Sequence, residues 1–118
     1  MEENEPAPET RRYLGIRTPL GCTVGFNDDS GDVFPMIDPR FDLRMHSPDG
    51  FEWGYHGSGP CQLALALVAD ATGDDELAKR VYLLFMHRIV SGLVIEGWEL
   101  SAAEIRLEVE SIDRATNT

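Results

Sequence analysis

The order of patterns along the chain predicts an α+β domain: a small antiparallel sheet of about three to four strands followed by three helices, the first of them central and buried. Three observations carry that prediction. Arg11–Arg17 (RRYLGIR) and Cys22–Phe26 (CTVGF) read as two strands flanking Thr18-Pro19-Leu20-Gly21. Proline at the second turn position and glycine at the fourth make this a hairpin. Gln62–Ala71 follows a glycine-rich turn and is apolar on nearly every side, the pattern of a helix at the centre of a domain. Ser101-Ala102-Ala103-Glu104 is a capping box that opens a last helix.

Residues 1–10 are rich in Glu and Pro and read as a disordered acidic tail. Asn27–Asp32 reads as a solvated acidic loop, because the spacing and distant Glu of an EF-hand are missing. Val33–Ile37 is expected to be a short edge strand interrupted by Pro35. Asp38-Pro39-Arg40 and Ser47-Pro48-Asp49-Gly50 are turns, with an irregular stretch between them. Phe51–Tyr55 alternates, with Phe51, Trp53 and Tyr55 predicted to share the aromatic face of a half-buried strand.

His56-Gly57-Ser58-Gly59-Pro60 then launches the first helix, with Ser58 or Gly59 as cap and Pro60 in the first turn. Gly73-Asp74 stops it. Asp75–Leu93 reads as a longer helix with a polar stripe of Glu76, Arg80, His87 and Ser91 and apolar turns at Leu77, Val81, Leu84, Phe85 and Ile89. Val94–Leu100 is a loop or short strand. The last helix runs to about Asp113, burying Ala102, Ile105, Val109 and Ile112. The chain is thus one domain over 11–113, with 114–118 frayed.

The net charge is −11, from 21 acidic and 10 basic residues, and Lys79 is the only lysine. Such a surface repels phosphate backbones, so direct nucleic-acid binding is not expected. Dense carboxylates with scarce lysine fit adaptation to high salt. The alternative reading is an acidic surface that competes with nucleic acid for a basic partner. No stretch approaches the roughly 18–20 uncharged apolar residues of a membrane span, and the N-terminus lacks an apolar leader, so a cytoplasmic location is expected. Cys22 and Cys61 are expected to be free thiols, with no zinc site and no cofactor.

Asp42-Leu43-Arg44, His46-Ser47-Pro48, Phe51-Glu52-Trp53-Gly54-Tyr55, Gly57-Ser58-Gly59-Pro60 and Gln62-Leu63-Ala64-Leu65-Ala66 together make the chain resemble the DUF6166 family, a small family of prokaryotes and some of their viruses. The resemblance covers about 11–110. It implies a stand-alone domain, sometimes associated with mobile elements, and brings no activity, substrate or cofactor. Relatives often carry Gly where this chain has His56, and Ala where it has Cys61.

The turn before the first helix has the physics of an anion site, since glycines let backbone N–H groups approach a ligand at a positive helix end. The candidate contacts are His56, Gly57, Ser58, Gly59 and Cys61, with Arg40 and Arg44 as countercharge. Neither glycine-rich nucleotide signature is present. Trp53, Tyr55 and Trp98 are candidate interface residues wherever they reach the surface. The leading expectation is a non-enzymatic accessory protein acting through protein contacts, with a salt-adapted surface. The rivals are an acidic anti-defence or nucleic-acid-mimic protein, and a small-anion-binding enzyme centred on the Gly57–Pro60 turn.

Overall fold

The computed structural model describes residues 5–28 and 35–116. Its order is β1 (Arg12–Thr18), β2 (Gly21–Asn27), α1 (Ser58–Thr72), α2 (Asp75–Arg88), a 3-10 turn (Val90–Gly92), β3 (Gly97–Ser101) and α3 (Ala102–Thr116). The class is α+β, with a three-stranded antiparallel sheet in the order β2-β1-β3.

The hairpin forms where the turn residues place it. Thr18 pairs with Gly21 and Tyr13 with Phe26 across β1 and β2. Thr18 Oγ1 accepts a bond from Leu20 N (3.1 Å), which tightens the turn. Of the expected edge strand, Met36 forms a single bridge to Gly25, and Ile37 N donates to Val24 O (3.1 Å). Val33, Phe34 and the loop residues Asp29, Ser30, Gly31 and Asp32 lie outside the described residues.

The third strand comes from 97–101, between α2 and α3, and Phe51–Tyr55 is not a strand. Gly54 has φ 88°, a left-handed conformation that turns the chain, and its N–H donates to Val90 O (3.0 Å) rather than to a strand neighbour. The aromatic alternation is split by that turn. Trp53 is fully buried and Tyr55 is 47% exposed.

α1 is the axis of the domain and packs against both α2 and α3. Leu63, Leu65, Leu67, Val68 and the alanines between them are buried, and they join Tyr13 and Val24 of the sheet in one core. Gly73 ends α1 in the left-handed conformation (φ 68°), its N–H returning to Ala69 O. Asp74 then caps α2 through its carboxylate, which accepts from Leu77 N (3.0 Å). α2 is shorter than its pattern suggests, ending at Arg88. Its buried face is Ala78, Val81, Tyr82, Phe85 and Met86, so Tyr82 points inward and Leu84 outward.

At α3 the capping box closes in both directions. Ser101 Oγ accepts from Glu104 N (3.0 Å), and Glu104 Oε1 accepts from Ser101 N (2.8 Å). Ala102, Ile105, Val109 and Ile112 are its buried stripe.

Residues 5–7 lie against the end of α1. Ala7 is buried, and its carbonyl accepts from Arg106 Nη1 (2.7 Å). The same nitrogen donates to Ala71 O (2.7 Å), near the end of α1. Glu5 and Pro6 run against Gly73 so closely that a Cβ there would lie 2.5 Å from Glu5 C. Arg106 of α3 thus ties the Ala7 carbonyl to the Ala71 carbonyl that α1 leaves open at its end.

Two tryptophans join the sheet to the segment before α1. Trp98 on β3 faces Gly15 on β1, and a Cβ at Gly15 would sit 2.2 Å from Trp98 Nε1. Trp98 stands edge-on to Trp53, with ring centroids 5.5 Å apart at 89°. Gly15→Ala is expected to push the indole out of this seat and to destabilise the fold by about 1–3 kcal/mol. Urea denaturation followed by tryptophan fluorescence measures it. An unchanged midpoint would mean that Trp98 moves aside without cost.

Candidate functional site

The glycine-rich turn is tightly packed. Gly57 precedes α1 in an extended conformation and makes no side-chain cap. A Cβ on Gly57 would lie 2.8 Å from the Tyr55 ring, and one on Gly59 would lie 2.6 Å from Glu52 Cβ. Close approach accounts for both glycines. Cys61 N already donates to Gly57 O (3.0 Å) as the first helical bond, and Pro60 has no N–H. Ser58 is exposed at the helix start.

Burial pushes the Cys61 thiol up from its ordinary value, which keeps it protonated and unreactive. His56 is exposed, and its ring stacks on His87 of α2 at 4.7 Å between centroids. That contact joins residues far apart in sequence, and spacing alone gave no sign of it. One cleft of about 650 Å³ is lined by Glu5, Asp38, Arg40, Asp42 and Asp70, among others. Another, of about 510 Å³, lies over Arg12, Leu14, Asp28 and Glu99. Neither includes a residue of the 56–61 turn.

The two expected countercharges part company. Arg40 reaches the far end of α1, where its guanidinium donates to Asp42 (3.0 Å) and Asp75 (2.8 Å). Arg44 stays near the beginning of α1, and the residue that places it is Gln62. Gln62 is fully buried, the only buried polar side chain among the described residues. All four of its hydrogen-bonding positions are used. Nε2 donates to Pro39 O (2.6 Å) and Arg44 O (3.1 Å). Oε1 accepts from His46 N (2.7 Å) and Ser47 N (3.2 Å). One side chain of α1 therefore fixes the irregular 39–47 loop, satisfying backbone groups that have no sheet or helix partner.

The fixed loop sets His46 against α2. His46 Nε2 lies 2.7 Å from the Tyr82 hydroxyl, with the rings tilted at 49°. Burial, and then the nearby Arg44 charge, hold the His46 pKa below its ordinary value. The imidazole is thus neutral near pH 7. Burial pushes the Tyr82 hydroxyl up, with Arg44 acting in the opposite direction.

Elsewhere the ionisable groups knit elements together. Asp70 of α1 accepts from Tyr13 Oη (2.6 Å) and Arg11 Nη1 (2.8 Å). Glu52 accepts from Arg17 Nη2 (2.7 Å) and from the Cys22 thiol (3.4 Å). Arg17 holds the Glu52 carboxyl below its ordinary range, as Arg11 does for Asp28 and Arg40 for Asp42. All these depressed groups bind protons less readily in the folded chain than in the unfolded one. Their contribution is complete above the unfolded pKa and is lost as pH falls through the folded pKa. Stability is therefore expected to decline first below about pH 6.5, as His46 resists protonation, and again below about pH 4. Urea midpoints across this range check it; a midpoint flat down to about pH 3 would contradict the assignment.

Of the candidate interface residues, Trp53 is core, Trp98 is half-buried and Tyr55 is exposed. Tyr55 is one of several exposed side chains around the start of α1 and the middle of α2. Ile95 (43% exposed) covers Gly54, Tyr55 lies over Gly57, and His56 stacks on His87. Leu83 (49% exposed) is one helical turn before His87. Among the described residues no group of three or more His, Cys, Asp or Glu side chains is placed to hold a metal ion. No described helix is long and apolar enough to cross a membrane.

No curated protein and no solved structure matches this chain. A family model does, over residues 13–111, from the first buried residue of β1 to near the end of α3. The matched span holds the sheet, the pinned loop and α1, and the chain belongs to the DUF6166 family, a family of unknown function.

Proposed function

We propose that this chain is a non-enzymatic accessory protein that binds another protein through the patch of Tyr55, His56, Leu83, His87 and Ile95. The ring contact of exposed His56 with exposed His87 carries the reading, since it joins the Tyr55 segment to the Leu83–His87 turn of α2, and apolar side chains gathered on a surface mark interaction sites where scattered ones do not. Tyr and His present an apolar body with a polar tip, which suits a contact that is wet when the partner is absent. Lys79, Arg80 and Arg88 flank the patch on α2.

The acidic surface, on this reading, serves hydration at high salt. The distribution of ion pairs supports it over a one-signed mimic of nucleic acid. Arg12 pairs with Glu99 on the sheet, Arg40 with Asp75 beside α2, Arg80 with Asp113 and Arg88 with Glu108 between α2 and α3. Acidic and basic groups are therefore interleaved over several faces.

The test is affinity purification from the native host at native salt, comparing wild type with the double variant Tyr55→Ala, Leu83→Ser. Leu107→Ser, on the exposed side of α3, is the control. A partner held by wild type and the control but lost by the double variant is expected. A partner held equally by all three, or none held by wild type, would overturn the proposal.

A further inference from the structure

We propose that His56 and His87 form a surface site for a divalent transition-metal ion that favours imidazole (zinc, nickel or copper), held by the two rings with water completing its coordination. The rings come from different elements, the turn before α1 and the last turn of α2. Their centroids lie 4.7 Å apart, with the planes tilted at 41°. Zinc–imidazole bonds are about 2.0–2.1 Å, so two nitrogens on one ion stand within about 4 Å of each other. Rings in contact meet that limit by turning about their own side-chain bonds, and planes that are not parallel let the in-plane lone pairs converge on one point. Both residues are exposed, so solvent leaves room for that rotation.

The backbone that carries the two rings is fixed on both sides. Two residues before His56, Gly54 N donates to Val90 O (3.0 Å), in the 3-10 turn that follows α2. One residue after His56, Gly57 O accepts from Cys61 N (3.0 Å) as α1 begins. The pair is therefore placed before any ion arrives, and ordering it costs little on binding. Among the described residues no group hydrogen-bonds to either ring, whereas His46 Nε2 is taken by Tyr82. Each ring of the pair can thus offer a nitrogen. Arg88, next to His87 in the chain, turns to Glu108 on α3 (3.1 Å), and the net charge of −11 draws cations to the surface. With no third protein ligand among the described residues, and no carboxylate orienting the rings, the site is exchangeable rather than structural. It stands apart from the protein-contact reading, because it is measured on the chain alone.

The experiment is NMR titration of the three histidine rings of the tag-free protein with Zn2+ and, separately, with Mg2+, which takes oxygen ligands and so reports the carboxylate background. The His56 and His87 rings are expected to respond together to Zn2+ and to saturate at about one ion per chain. His46 should stay unmoved, and Mg2+ should move none of the three. His56→Ala and His87→Ala assign the signals, and both side chains are exposed, so each variant should fold. Each is expected to weaken Zn2+ binding at the remaining ring about tenfold or more. Because the ion bridges two elements, Zn2+ should also raise the wild-type Tm by a few degrees and leave the Tm of each variant unchanged. The proposal fails if neither ring saturates, if His56 and His87 titrate with different affinities, if His46 responds as they do, or if either variant binds Zn2+ as wild type does.

Discussion

Trp53→Ala should destabilise the protein by about 3–5 kcal/mol, much of the stability a domain of this size has. Trp53 is fully buried in the segment that sequence periodicity assigns to a strand. Its indole N–H donates to Ile95 O (3.0 Å), and its ring carries the Arg17 guanidinium at 5.1 Å. Removing it opens a cavity between the sheet and the start of α1, leaves Ile95 O with Arg17 Nε (2.8 Å) as its remaining donor and leaves Trp98 without its edge-on neighbour. Trp53→Phe keeps most of the apolar volume and loses the hydrogen bond, so about 1–2 kcal/mol is expected. Urea denaturation followed by far-ultraviolet circular dichroism compares the three proteins. Equal midpoints for Trp53→Ala and wild type would show that the two-tryptophan joint is not part of the core.

Gln62→Leu is expected to cost about 3 kcal/mol or more, although leucine is the better residue for an apolar helix. The substitution keeps volume and removes four hydrogen bonds at once. It strands the N–H groups of His46 and Ser47 and the carbonyls of Pro39 and Arg44. Water can reach some of them only if the loop lifts away from α1, so the loss should show as loop mobility as well as a lower midpoint. Gln62→Glu tests the same point differently. It replaces the two donors with a buried charge and should be at least as damaging.

The parts of this fold that were legible in the sequence are those decided locally. The hairpin follows from Pro19 and Gly21, the C-terminal end of α1 from Gly73, and the start of α3 from Ser101 and Glu104. The central position of α1 follows from an apolar run with no polar face. What was not legible depends on contacts between distant residues. Phe51–Tyr55 has the alternation of a strand, but the positive φ of Gly54 and its bond to Val90 take it out of the sheet. The strand that takes the place, Gly97–Ser101, has little alternation and is fixed by pairing with β1. Ala7 is buried because Arg106, on α3, reaches its carbonyl.

The same division runs through the candidate site. Arg40 and Arg44 look equivalent in sequence, and only the fold commits one to Asp42 and Asp75 and leaves the other open. Gln62 was the available clue. A polar residue opening the run Gln62–Ala71 has to find partners if it is buried, and since strand and helix backbone is already paired those partners are loop backbone. The stacking of His56 on His87 and the bond between His46 and Tyr82 had no local signal, because each joins the loop region to α2.

The account turns on Gln62 fixing the 39–47 loop, and amide hydrogen exchange at His46 and Ser47 reads that directly. Both amides lie in a loop without regular structure and donate to a buried side chain. In wild type they should exchange as slowly as the amides of α1, and in Gln62→Leu they should exchange rapidly while the core of α1 remains protected. Fast exchange at both positions in the wild-type protein would contradict the account.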